Sequence, residues 1–330
     1  MAGQISVIDF GRFIGGSTNE RKSVAYDIDK ALTTSGFLSL INHGIEQSII
    51  DECFYWSERF FELPVHEKSQ LSPSVHKMRH GYLGIGKEIV RGERSHKENF
   101  DFGNPEDSDM ESWPSPEKLP GFRECAETFY HACSRLISEL FECIDLIFKL
   151  DTNDSLSKHH SGSADVVSFL HYPAVRQRGN FVRGMAHSDL GTITLLFQHG
   201  IGGLQVADHD STRETTTVAI EKTANFIDVH PDSQAILVNV GYLLMRWTNG
   251  RWPSTVHRVT WPPGFRDTQD SGMQTDTPER FSIAFFSFPD YEVDIEPLEN
   301  CRSQQQPRRW KNSLNAGEYL LKKRRQLYSS

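Results

Sequence analysis

"MAHSDLGTITLLFQHG", residues 185–200, begins polar and turns apolar. Ile193, Leu195, Leu196 and Phe197 form a β-rich run, so the stretch reads as a buried strand with His187 and Asp189 at its mouth. Side chains at i and i+2 of a strand share one face, with roots about 7 Å apart. An imidazole and a carboxylate set on one face can converge on a metal ion. Two residues are a weak motif, however, and an isolated His-x-Asp is more often a hydrogen-bonded pair at a strand end. Leu190 onward is expected to be core, and His199 a turn residue outside any site.

Working outward, "STVHRVTW" carries His257 in another β-type segment, 70 residues after His187. Alone it would be read as a satisfied core histidine. Two histidines and one carboxylate, the third ligand remote, are the make-up of a facial triad, which leaves coordination positions open on octahedral Fe(II). No cysteine lies near these positions. "RFSIAFF" adds Arg280 and Ser282, again i and i+2. An arginine entering an apolar strand is costly without an anion, and its planar fork holds a carboxylate through two bonds. That carboxylate could belong to the protein or to an organic acid bound at the metal.

The segments around these residues define the fold class. From about residue 166 the chain is short, β-branched and punctuated: "VVSFLHY", "TITLLF", "LQVA", "FIDVH", "AILVNVG", "TVHRVTW", "RFSIAFFSF". Gly200, Gly202, Gly203, Pro231, Gly241 and Asn249-Gly250 supply corners, so an all-β sandwich or jelly roll is expected. Earlier periods are helical. Residues 20–35 end at the C-cap candidate Gly36, and a second helix stops before Pro64. Phe129, Cys133, Leu136, Ile137, Leu140, Ile144 and Phe148 stripe a long scaffold helix over 121–150. Ala316, Tyr319, Leu320 and Leu327 mark a C-terminal helix. Residues 104–120 and 262–279 read as loops.

Composition excludes several classes. The 330 residues carry a net charge of −9, which argues against a nucleic-acid surface. The basic run 322–325 is the solvated face of the terminal helix. Five cysteines without CxxC spacing point to a reduced, intracellular protein with no disulfide framework. No signal peptide is indicated, and no apolar run is long enough to span a bilayer. "GYLGIGK", residues 81–87, imitates a phosphate-binding loop, but Glu88 stands where that loop needs Ser or Thr. "DHD", 208–210, reads as a hairpin connection.

HSD…H…RFS, in this order, resembles the iron(II)- and 2-oxoglutarate-dependent dioxygenases of the isopenicillin N synthase-like family. "SGFLSLINHGI" at 35–45, "HGYLGIGKE…KENFDFG", "LHYP" at 170–173, "GGLQV", "ILVNVG" and "RWTNGRWPSTVHRV" carry the likeness over nearly the whole chain. The resemblance implies an α+β protein with a double-stranded β-helix (jelly-roll) core at about 166–290. The core would share 121–330 with the scaffold and C-terminal helices, and 1–120 would pack on it as part of one structural unit. His187, Asp189 and His257 would bind Fe(II). Arg280 and Ser282 would hold the C5 carboxylate of 2-oxoglutarate, with Tyr172 as a further hydroxyl contact.

The same likeness implies that dioxygen and 2-oxoglutarate are consumed to oxidise an unactivated C–H bond of a small molecule, in specialised metabolism. Hydroxylation is the default outcome; desaturation, cyclisation and ring rearrangement use the same start. A cytoplasmic monomer or weak homo-oligomer, without nucleic-acid or membrane partners, is expected. By family position, Arg79, Tyr82, Phe102, Phe286, Phe288 and the C-terminal helix are candidates for an apolar substrate pocket. Two departures stand out: Tyr242 occupies a position where the family usually has Asp, and the long spacing from His257 to Arg280 fits an insertion at 262–279. Asn239 has a supporting role or plain strand-end hydrogen bonds. One rival is a same-fold iron oxidase in which Arg280 and Ser282 hold the substrate's own carboxylate; succinate formation separates the two. A second rival is a non-catalytic binding protein, which would bind no Fe(II). A zinc hydrolase lacks its HExxH base.

Overall fold

A computed structural model describes residues 5–72, 80–106, 113–175, 183–263, 265 and 277–328. The chain opens with β1 (Ser6–Asp9), α1 (Gly11–Ile14), α2 (Thr18–Ser35), β2 (Phe37–Ile41), α3 (Gln47–Phe61) and α4 (Val65–Gln70). Ser17 and Glu20 close a capping box at the start of α2. Gly36 ends it at φ 69°, where a Cβ would also run into the Pro253 carbonyl. There follow β3 (Gly81–Leu83), β4 (Ile89–Val90), β5 (Glu93–Arg94), β6 (Glu98–Phe102) and the scaffold helix α5 (Phe122–Phe148).

The β-rich half comprises β7 (Val166–Tyr172), β8 (Gly184–His187), β9 (Ile193–His199), β10 (Leu204–Ala207), α6 (Thr217–Thr223) and β11 (Phe226–Asp228). It continues with β12 (Ile236–Val240), α7 (Tyr242–Trp247), β13 (His257–Val259), β14 (Arg280–Phe286), β15 (Asp294–Ile295), β16 (Leu314–Asn315) and α8 (Ala316–Tyr328). One sheet runs β1-β2-β12-β9-β14-β7-β6-β3, a second β11-β10-β13-β8. Together they form the double-stranded β-helix. Among the described residues no helix is long and apolar enough to cross a membrane.

Strand alternation divides the large sheet into two faces. Phe100, Phe102, Val167, Phe169, Leu195, Phe197, Val238, Ile283 and Phe285 point outward into the main core under α2, α3 and α5. Their neighbours point inward. There Phe37, Tyr172 and Leu237 meet Leu204, Val206 and Val259 of the small sheet. The space between the sheets holds the candidate site.

Residues 185–200 depart from expectation. They form two strands in different sheets: β8 ends at His187 in the small sheet, and β9 begins at Ile193 in the large one. Residues 188–192 turn the corner between them. A Cβ on Gly191 would meet the Ser287 carbonyl, and one on Gly241 the Gly191 carbonyl, so the corner is packed backbone on backbone. Leu190 is only half-buried, beside Phe288. His199 is the exposed last residue of β9, so the expected turn residue lies in the strand itself. "DHD" opens a short 3-10 turn (His209–Ser211), and α6 follows it before β11.

Candidate active site

His187, Asp189 and His257 come together, their candidate ligand atoms all within 4.8 Å of one another. His187 and His257 sit opposite each other in register on β8 and β13. Each donates its Nδ1–H to the backbone carbonyl two residues earlier: His187 to Met185 over 2.8 Å, His257 to Thr255 over 3.1 Å. A carbonyl only accepts, so both lone pairs are left on Nε2. Both Nε2 atoms lie 3.6 Å from Asp189 Oδ1. Asp189 Oδ2 is occupied, accepting from Thr194 Oγ1 over 2.6 Å and from Asn239 Nδ2 over 2.7 Å. Burial alone would raise the Asp189 carboxyl. The adjacent His257 and His187 and those two hydrogen bonds outweigh it and hold the group below the usual carboxylate range. Burial, then His187, pushes the His257 imidazole down to about 4, so it is a neutral donor at ordinary pH. Two imidazole nitrogens and a carboxylate oxygen in one cluster, donors of intermediate to hard character, fit a divalent iron.

Asp189 is not on the strand that carries His187. The corner places it, and α7 holds the corner: Tyr242 N–H donates to the Asp189 carbonyl over 2.8 Å, and Leu243 N–H to the Gly191 carbonyl over 2.9 Å. Tyr242 therefore serves through its backbone, while its ring stacks on Tyr319 of α8 at 5.1 Å.

At the other end of the inner face stands Arg280, 2 % exposed. It donates from Nη1 to Ser282 Oγ over 3.0 Å and from Nη2 to Gln198 Oε1 over 3.1 Å, and its Cζ lies 4.9 Å from the Tyr172 ring. Tyr172 is its register partner on β7, and Gln198 that of Ser282 on β9. All these partners are neutral, and among the described residues Arg280 makes no ion pair. Burial pulls its pKa down. A buried guanidinium held only by neutral groups fits an incoming carboxylate. Thr194, beside the triad, and Gln198, beside Arg280, are four residues apart on β9, about 13 Å.

The other candidate pocket residues scatter. Tyr82 and Phe102 are 3 % and 0 % exposed on the outward face. Tyr82 donates to Glu98 there, and Phe102 packs on Trp113 and Phe169. Strand parity puts them in the core, not in a pocket. Phe286 lies on the inner face, in a cluster with Phe288, Leu190, Tyr319 and Leu320 of α8. Arg79 and most of 262–279 fall outside the described residues. Beside β7 the inner face is polar, against the expected apolar pocket. Asp101 accepts from Ser168 Oγ over 2.5 Å and from Asn99 Nδ2 over 2.8 Å, and Lys97 pairs with Glu88 at 3.0 Å. Burial raises the Asp101 carboxyl. Burial would raise Glu88 too, but Lys97, Ser95 and the nearby His187 hold it low. Gln198, Thr194 and this polar wall carry no motif; only the inward parity of their strands marks them.

The profile of the 2OG-Fe(II) oxygenase superfamily matches residues 163–289, and that of the non-haem dioxygenase in morphine synthesis N-terminal region matches 5–120. A 2-oxoglutarate-dependent dioxygenase, frbA, of Dothideomycetidae sp. is 34% identical over 90% of this chain and 91% of its own. The proline hydroxylase buaE of Petromyces alliaceus is 31% identical over 96% and 97%. A full-length Neurospora crassa protein, solved in complex with alpha-KG, superposes with a TM-score of 0.84 at 29% identity, covering 97% of this chain and 95% of that one. The chain belongs to the 2OG-Fe(II) oxygenase superfamily. It is a 2-oxoglutarate-dependent dioxygenase that uses iron(II), 2-oxoglutarate and dioxygen and acts on a small molecule.

Proposed function

We propose that His187, Asp189 and His257 hold the iron and that Arg280, with Ser282, Gln198 and Tyr172, holds the distal carboxylate of 2-oxoglutarate. The observation that carries this reading is the facing pair of ends: a three-donor cluster and a buried arginine with only neutral partners, on one inter-sheet space. Bound iron with 2-oxoglutarate and dioxygen supplies a decarboxylation-driven oxidant for a C–H bond. The chain's own residues fix the donors' tautomers, orient Asp189 and read the far carboxylate.

The substrate in this reading is a small polar molecule of specialised metabolism, and hydroxylation is the default outcome. The polar wall of Glu88, Lys97, Asn99, Asp101 and Ser168 supports polarity. The name proline hydroxylase, and the thymine bound in a further structure of the Neurospora crassa protein, support small nitrogenous compounds. A cytoplasmic monomer or weak homo-oligomer, free of nucleic acid and membrane, is consistent with the net charge of −9 and five free, buried cysteines. Residues 1–120 and 121–330 are read as one structural unit, supported by β1, β2, β3 and β6 lying in the same sheet as the jelly-roll strands. The test is stoichiometric succinate formation with small nitrogenous substrates. Substrate oxidation without succinate would replace this reading with that of an iron oxidase.

A further inference from the structure

A second arginine is buried at the Arg280 end. Arg183 directly precedes β8, at 1 % exposure. β8 is bulged against β13 between Gly184 and His187, so the contacts of Arg183, and not strand alternation, place its side chain. Its Nη2 donates to the Pro278 carbonyl over 2.9 Å and to the Pro173 carbonyl over 3.3 Å. Pro278 precedes Arg280 by two residues, and Pro173 follows Tyr172, the register partner of Arg280. The guanidinium thus bridges the ends of β7 and β14 at the level of Arg280, with the Trp261 ring 5.1 Å from Cζ.

Nε and Nη1 of Arg183 are buried without a hydrogen-bond partner among the described residues. They carry three of the five N–H groups of a guanidinium. Burial, and next the charge of Arg280, push Arg183 down to about 10. It therefore stays cationic at neutral pH. Two buried cations at one end of the space, neither ion-paired among the described residues, oppose each other unless an anion joins them. The tips of two strands have no need of a second charge for their own packing; two carbonyl bonds could be met by a neutral donor.

We propose that Arg183 is a second cosubstrate-binding arginine, which shares the distal carboxylate of 2-oxoglutarate with Arg280 through its unused N–H groups. This rests on the reading of Arg280 as the cosubstrate anchor. It makes this end a two-arginine clamp selective for a dicarboxylate over a 2-oxo acid lacking the second carboxylate.

The experiment measures dissociation constants by calorimetry on Mn(II)-loaded protein, with 2-oxoglutarate and with 2-oxopentanoate, its analogue without the distal carboxylate. Wild type is compared with Arg183→Gln, Arg183→Met, Arg183→Lys and Arg280→Gln, each checked for a native thermal midpoint. Expected is a tenfold or greater loss of 2-oxoglutarate affinity in whichever neutral Arg183 variant folds, partial recovery in Arg183→Lys, and 2-oxopentanoate binding within twofold of wild type. Unchanged 2-oxoglutarate binding in a folded neutral variant, or equal losses for both acids, would overturn the clamp. If neither neutral variant folds, an Arg183→Lys protein that binds both acids as wild type overturns it, and a loss confined to 2-oxoglutarate supports it. Arg280→Gln separates the two claims: weak 2-oxoglutarate binding there with none lost at Arg183 sinks the clamp and keeps the anchor, whereas unaltered binding in Arg280→Gln sinks the anchor itself.

Discussion

Asn239 donates from Nδ2 to Asp189 Oδ2 over 2.7 Å, from the strand position directly opposite Thr194, which donates to the same oxygen. One carboxylate oxygen is thereby committed to the protein, and the other faces two imidazoles. Asn239→Ala removes one of the two restraints. Metal affinity should fall roughly 10–100-fold, as for other outer-shell partners of a ligand. Competition titration with a metal indicator checks this, and an unchanged constant would show that Asn239 only satisfies its strand.

Tyr242 contributes an N–H, not a side chain, to the corner that carries Asp189. Tyr242→Ala should leave the metal dissociation constant within a factor of about two, because any residue but proline keeps that N–H. Tyr242→Pro should bind metal more weakly. The first position of α7 tolerates proline's fixed φ, so the helix survives while its bond to the Asp189 carbonyl is lost. Equal affinities in the two variants would refute the backbone role.

His160 is a buried neutral histidine. Its Nδ1 bonds the Leu156 carbonyl at 2.7 Å, its ring packs on Phe141, and burial lowers its pKa to about 4. An unfolded histidine titrates near ~6.5. Between these values the unfolded chain binds the extra proton. The stability this group contributes is therefore complete above the unfolded value and lost as pH falls toward 4. His160→Gln should flatten the dependence of unfolding free energy on pH in that window by up to about 1.4 kcal/mol per pH unit. Denaturant melts across the window read the slope; identical slopes in wild type and variant would contradict the assignment.

Phe100 sits among Phe60, Phe122, Phe102 and Trp113, at 0 % exposure, on the outward face of β6. Phe100→Ala should cost about 3–5 kcal/mol in urea unfolding, the usual range for emptying an aromatic core site. A loss under about 1 kcal/mol would mean that the aromatic cluster collapses around the gap.

Legibility in the sequence followed the clarity of the local period. "RFSIAFF" alternates cleanly, so the shared face of Arg280 and Ser282 could be read, and the 121–150 stripe announced α5. The corner at 188–192 could not be read, because the apolar run of β9 follows close behind His187 and only the packed Gly191 backbone separates two sheets. Tyr82 and Phe102, expected at the pocket by family position alone, lie instead in the main core on the outward face. In "KENFDFG" charged residues fall on both faces, so charge alone does not tell the core face from the inner one. Gln198 and Arg183 lie at strand ends, where long polar side chains usually reach solvent. Their burial comes from the opposing sheet, which no local pattern encodes.

In the proposed site one inter-sheet space would hold iron at His187, Asp189 and His257 and the distal carboxylate of 2-oxoglutarate at Arg280. Anaerobic titration of the protein with Fe(II) and 2-oxoglutarate, followed by visible absorption, tests it most directly. Expected is a charge-transfer band that saturates with 2-oxoglutarate in wild type, is absent in Asp189→Ala, and needs far higher 2-oxoglutarate in Arg280→Ala. No band in wild type, or a band unaltered in both variants, would contradict it.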